Sequence, residues 1–89
     1  MLYYVEYSQS VRKALRKLDK QTARIIKYWI EKSLINTDNP RIHGKELKGN
    51  LKGLWRYRVG DYRLIAEIKD RKLLIFMVEI GHRREIYEE

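Results

Sequence analysis

The sequence predicts an α+β fold: an N-terminal strand and a two-helix hairpin packed on an antiparallel sheet that ends in a three-stranded C-terminal meander. Three observations predict it. Apolar residues recur at helical spacing over residues 9–35, the period changes to two from residue 54, and short turn signals separate the later apolar runs. With 89 residues the chain has material for one packed core, so residues 1–89 are expected to form a single domain.

Each element has its own local reason. Residues 2–7 alternate aromatic and apolar side chains without a helical period, which reads as a first strand. Ser8 or Ser10 can cap a helix over 9–18, where Val11, Ala14, Leu15 and Leu18 share one side and Arg12, Lys13, Arg16 and Lys17 the other. Asp19 caps a second helix over 20–35 carrying the stripe Ala23, Ile26, Ile30 and Leu34, flanked by Trp29. Asn36 to Pro40 ends it, because proline cannot continue a helix and biases Asn39 away from helical geometry. Residues 40–53 read as a loop bearing Gly44, Gly49 and Gly53. Leu54–Val59, Tyr62–Lys69 and Lys72–Ile80 read as strands joined by Gly60-Asp61 and Asp70-Arg71. Gly60 at the first central position suits a type II′ turn, and two-residue loops make the strands antiparallel.

Composition excludes several kinds of chemistry. There is no cysteine, so disulfides, thiolate metal sites and cysteine nucleophiles are absent. The two histidines, His43 and His82, have no metal-ligand spacing, and no Walker or dinucleotide glycine pattern occurs, so no metal or cofactor is expected. No apolar run reaches the length of a membrane span and the N-terminus lacks a signal-peptide pattern, so a cytoplasmic protein is expected. Twenty Lys and Arg against 12 Asp and Glu give a net charge of +8, a field that favours a polyanionic partner.

The hairpin register locates that charge. With Gly60-Asp61 as the loop, Val59 pairs with Tyr62 and Arg58 lies opposite Arg63, with Arg56 on the same face. Trp55, Tyr57, Val59, Tyr62, Leu64, Ala66 and Ile68 then point toward the helices. Like charges opposite one another cost about 0.2–1 kcal/mol, a cost that a bound phosphate would reverse because the guanidinium fork matches it. A two-residue loop at Asp70-Arg71 adds Ile65, Leu74, Phe76 and Val78 to that face, giving an apolar floor with an arginine rim. The closing segment Gly81-His82-Arg83-Arg84-Glu85-Ile86-Tyr87 supplies acid–base and anion-stabilising types, with His82 nearest neutrality by residue type. His43, in a glycine-bearing loop, reads as a surface residue.

The stretch Leu47-Lys48-Gly49-Asn50-Leu51-Lys52-Gly53-Leu54-Trp55-Arg56-Tyr57-Arg58-Val59-Gly60-Asp61-Tyr62-Arg63-Leu64-Ile65, with Gly81 to Tyr87, resembles the RelE/ParE superfamily of bacterial toxin–antitoxin toxins, RelE-type members in particular. The resemblance spans essentially the whole chain. It implies a RelE-like fold and a metal-independent endoribonuclease that cuts messenger RNA in the ribosomal A site and inhibits translation. Its pattern maps onto Arg56 and Arg58 before the hairpin, Arg63 after it, Arg83 after the last core strand, and Tyr87. The best-known members carry lysines at the two pre-hairpin positions, one proposed as general base; arginine is very hard to deprotonate, which shifts the expected proton carrier to His82. The implied step is attack of a ribose 2′-hydroxyl on its own 3′-phosphate. Arg63 and Arg83 would stabilise charge, Arg56 and Arg58 position phosphate, and Tyr87 orient or stack. Lys45, Lys48 and Lys52 would contact ribosomal or messenger backbone. The implied partners are a cognate acidic RelB-like antitoxin, in a hetero-oligomeric complex, and the ribosome with its messenger RNA. The alternatives are a ParE-like DNA gyrase inhibitor and a non-catalytic RNA-binding domain.

Overall fold

Alternation and capping build the elements much as the side-chain pattern requires. The computed structural model describes residues 1–82, running β1 (Tyr4–Tyr7), α1 (Gln9–Lys17), α2 (Lys20–Ser33), β2 (Gly44–Glu46), β3 (Leu54–Val59), β4 (Tyr62–Lys69) and β5 (Leu74–His82). Ser8 caps α1 by accepting from the Val11 N–H at 3.1 Å, and Asp19 caps α2 by accepting from the Thr22 N–H at 3.1 Å. Arg16 and Lys17 occupy the last turn of α1, where cations complement the helix dipole.

The strands form one mixed sheet in the order β1-β5-β4-β3-β2. The β3–β4 hairpin has the expected register, with Val59 opposite Tyr62 and Arg58 opposite Arg63. Gly60 has φ 59° and Asp61 is not left-handed, which is the II′ geometry. Three features depart from expectation. The 40–53 segment is not all loop: Gly44–Glu46 adds an edge strand antiparallel to β3, and Gly49–Leu51 forms a 3₁₀ turn. β1 enters beside β5 in parallel, since the α-helical hairpin carries the chain across the sheet before it returns, so the sheet is mixed rather than antiparallel. The β4–β5 connection spans Asp70–Leu73, with a 3₁₀ turn closed by Leu73 at φ 51°, and replaces the two-residue loop.

The helices cover one sheet face. Val11 and Leu15 of α1 and Ile26 and Ile30 of α2 are buried with Tyr57, Val59, Leu64, Ala66, Ile75 and Met77. Gly44 lets β2 close on this core: a Cβ there would lie 2.8 Å from Cε1 of Tyr57. Burial pushes the Tyr57 phenol up to about 12, so it stays protonated and donates to the Pro40 carbonyl.

A second tie holds the segment leading into β2. Arg41 donates to both Asp70 carboxylate oxygens at 3.1 and 2.8 Å, its guanidinium carbon lies 5.5 Å from the Trp55 ring centroid, and the Tyr3 hydroxyl donates to Asp70 at 2.6 Å. One carboxylate thereby joins the N-terminus, the pre-β2 segment and the β4–β5 turn. The Arg41 guanidinium, with the Tyr3 hydroxyl, holds the Asp70 carboxyl below its ordinary value. That contribution is present above the unfolded carboxylate value and is lost as pH falls through the depressed folded one. Because the pair is 39% and 55% exposed, solvent screening limits it. Asp70→Asn should cost at most about 1 kcal/mol in denaturant unfolding at pH 7, and the gap from wild type should close below about pH 4. A gap independent of pH would remove the ion pair from the account.

Candidate functional site

The face turned away from the helices carries the arginines in two rows set by strand register. Arg58, Arg63 and Gly81 form one row across β3, β4 and β5; Lys45, Arg56, Ile65 and Glu79 form the next across β2 to β5. A third row holds Leu54, Glu67, Phe76 and Glu6. Long-stemmed side chains can lay their methylenes on apolar floor while the charged head turns outward. That floor is real: Leu47, Ile65 and Leu74 are buried yet stand outside the helix-side core. Lys69 adds to the covering by placing its ammonium 5.7 Å from the Phe76 ring centroid.

Arg56 and Arg63 are 9% and 5% exposed, whereas Arg58 is open to solvent. The planar guanidinium fork matches phosphate bidentately, so a face that carries three arginines has chemistry suited to a polyanion. Lys45, Lys48 and Arg56 gather further at a cleft of about 220 Å³ beside β2. Lys52 follows the 3₁₀ turn and is exposed, away from that cleft. The face is therefore basic over β2, β3 and the hairpin end of β4, with Glu67, Glu79 and Glu6 toward β5 and β1.

His82 is not brought to these arginines. The β4–β5 ladder shifts register between Ile65 and Ala66: Ala66 pairs with Met77 but Ile65 pairs with Glu79, leaving Val78 as the extra residue of a bulge. Before the bulge Leu74 and Phe76 share the arginine face as expected; after it the phase inverts. Glu79 and Gly81 take the arginine face, and His82 turns to the helix side. There its ring meets Tyr62 edge-on at 5.5 Å between centroids, in a cleft with Ala14, Lys17, Leu18 and Ile80. The expected partnership of His82 with Arg56, Arg58 and Arg63 thus meets a geometric obstacle, a strand residue that an unbroken alternation does not contain. Arg83 and Tyr87 lie outside the described residues.

Sequence reasoning also missed Glu79, which an unbroken period buries under the helices, and a second basic surface. Arg12, Arg16, Lys20, Arg24 and Lys27 line a groove of about 490 Å³ between α1 and α2. Helical spacing of the cations was the available signal. Among the described residues no group of three or more His, Asp or Glu side chains could hold a metal, and no helix is long and apolar enough to cross a membrane.

Two helices packed on one face of a mixed five-stranded sheet is the fold of RelE-type toxins. The family described as "ParE toxin of type II toxin-antitoxin system, parDE" matches residues 5–87. Among curated relatives, the mRNA interferase toxin RelE of Escherichia coli (strain K12) is 26% identical over 94 residues, covering 100% of this chain and 94% of that protein. Toxin RelG of Mycobacterium tuberculosis is 30% identical over 88 residues, covering 98% of each. Among solved structures, a chain of the toxin–antitoxin complex RelBE2 from Mycobacterium tuberculosis superposes with a TM-score of 0.84 at 26% identity, covering 96% of this chain and 95% of that one. The chain belongs to the ParE toxin family of type II toxin–antitoxin systems and is a RelE-type member of the RelE/ParE superfamily.

The exposed member of the arginine pair offers a clean probe. Arg58→Gln should weaken binding of single-stranded RNA and lower the salt slope by about one. Thermal unfolding should shift little, as for most exposed substitutions. Binding and slope identical to wild type would take Arg58 out of the interface.

Proposed function

We propose that this toxin is a ribosome-dependent endoribonuclease that cleaves messenger RNA in the A site and so inhibits translation. The observation that carries the reading is the arginine face itself: Arg58 directly opposite Arg63, with Arg56 one row away on a buried apolar floor. Support comes from the Escherichia coli relative, which is named an mRNA interferase.

The reaction asks little of a protein beyond positioning and charge. A ribose 2′-hydroxyl attacks the adjacent 3′-phosphate in line, the 5′-oxygen leaves, and a 2′,3′-cyclic phosphate results. Neither a metal nor an external nucleophile takes part in that step. Arg63 stabilises the added phosphorane charge, with Arg83 in the same role, and Arg56 and Arg58 hold phosphate. Tyr87 orients or stacks on the nucleotide. Lys45, Lys48 and Lys52 contact RNA backbone, which positions without reading sequence. His82, on the opposite sheet face, is not assigned the proton.

The cognate partner is an acidic RelB-like antitoxin in a hetero-oligomeric complex. Relatives solved with antitoxins, including the Mycobacterium tuberculosis complex, support this, as does the net charge of +8. The site of action is the cytoplasm. A ParE-like, gyrase-directed reading is kept by the family description, which names ParE.

Primer extension on messenger RNA translated with the protein, beside a gyrase supercoiling assay, separates the two. Discrete in-frame cleavage with unaffected supercoiling is expected; inhibited supercoiling without cleavage would overturn the nuclease reading. On programmed ribosomes, Arg63→Ala should lower the saturated single-turnover rate by about 10²–10³-fold. Lys48→Ala and Lys52→Ala should instead weaken association and leave that rate near wild type. His82→Ala should also leave it near wild type, and a large fall there would return His82 to the reaction centre.

A further inference from the structure

The nuclease reading leaves one proton without an acceptor. The attacking 2′-hydroxyl must lose it, but an arginine side chain offers no acceptor lone pair for it and His82 faces the helices. Among the described residues, three carboxylates share the arginine face: Glu6, Glu67 and Glu79. Glu6 and Glu67 stand in the Phe76 row, two rows from Arg58 and Arg63. Glu79 stands one row away. It is in line with Arg56 across Ile65, and it is the diagonal neighbour of Arg63, whose direct partner is Gly81. Diagonal neighbours on a sheet lie about 7–8 Å apart, within reach of long side chains, and Gly81 itself puts no side chain between Glu79 and Arg63.

The bulge places this carboxylate, and the fold holds the bulge. An extra strand residue loses its ladder partners. Here the Ser8 and Ser10 hydroxyls donate to the Val78 carbonyl at 3.2 and 3.1 Å, and the Ser8 N–H donates to the Met77 carbonyl at 2.9 Å. The start of α1 thus satisfies the backbone that the irregularity frees. Bulges characteristically re-aim side chains beside active sites.

We propose that Glu79 is the general base: its carboxylate accepts the 2′-hydroxyl proton. This rests on the nuclease reading. As the proton moves to Glu79, the O2′–P bond forms and the P–O5′ bond breaks. The leaving 5′-oxygen takes a proton from water, and Glu79 returns its own to solvent. The groups facing the carboxylate are Arg63 and Glu67 from β4, Arg56 and Arg58 from β3, Lys45 from β2 and Glu6 from β1; α1 and α2 lie on the other face.

The test is single-turnover cleavage on programmed ribosomes at saturating toxin, across pH. Glu79→Gln should cut the rate by about 10²–10⁴-fold, keep ribosome affinity, and lose the acid limb of the wild-type pH profile. Glu79→Ala should fall as far and recover in part with added acetate, which can fill the space of an exposed carboxylate. A Glu79→Gln rate equal to wild type overturns the proposal. So does a loss that keeps the acid limb and ignores acetate, since Glu79 would then only orient Arg63. Absence of cleavage by the wild-type protein overturns the nuclease reading, and the role of Glu79 with it.

Discussion

The Val78 carbonyl, displaced from the ladder and held by the Ser8 and Ser10 hydroxyls, sets which side chains each face of the sheet presents. β5 lies between β4 and β1, so its alternation feeds both the helix-side core and the arginine face. Ile75 and Met77 point into the core before the irregularity, and Ile80 points there after it. With an unbroken period, Ile80 would stand among the arginines and Glu79 would be driven under the helices as a buried carboxylate, which is strongly unfavourable. One extra residue lets a single strand fill the core along its whole length while presenting Glu79 and Gly81 beside Arg63. The same serine that satisfies this carbonyl caps α1, so helix start and strand irregularity are one construction.

The other supports act on the opposite edge. β2 is only three residues long, and its place depends on Gly44 closing against Tyr57, on the Tyr57 hydroxyl reaching Pro40, and on Arg41 bridging to Asp70. These contacts lie on or near the helix side, yet their consequence is on the reverse: they seat Lys45 beside Arg56 and complete the basic half of the face. Arg56 and Arg63 are buried next to other cations, and Arg58 confronts Arg63 directly.

Much of this was legible in the residues. Ser8 or Ser10 and Asp19 announced the helix starts, with Ser8 the cap in the structure; the apolar stripes announced the core faces, and Gly60-Asp61 fixed a hairpin whose register sets Arg58 against Arg63. These are local signals, read within a few positions. What was not legible was non-local or irregular. Parallel entry of β1 beside β5 depends on how the helical hairpin returns, and Gly44–Glu46 becomes a strand only because β3 offers it an edge. Leu73 closes the β4–β5 turn in a left-handed conformation that leucine rarely adopts, so nothing in the residue type signalled it. The bulge at Val78 carries neither glycine nor proline. Its signal sits 68–70 residues earlier, in two serines whose capping role already explained them. No local pattern therefore showed that Glu79 shares the arginine face and that His82 turns to the helices.

The phase of β5 after Val78 is the claim on which the site depends, and cross-strand contacts in solution report it directly. Backbone nuclear Overhauser effects from the labelled full-length chain distinguish the two arrangements. The structure predicts Ile65 opposite Glu79, Arg63 opposite Gly81 and Tyr62 opposite His82. Contacts of Ile65 with Val78 and of Arg63 with Ile80 would mean an unbroken ladder, would return His82 to the arginine face, and would contradict the account.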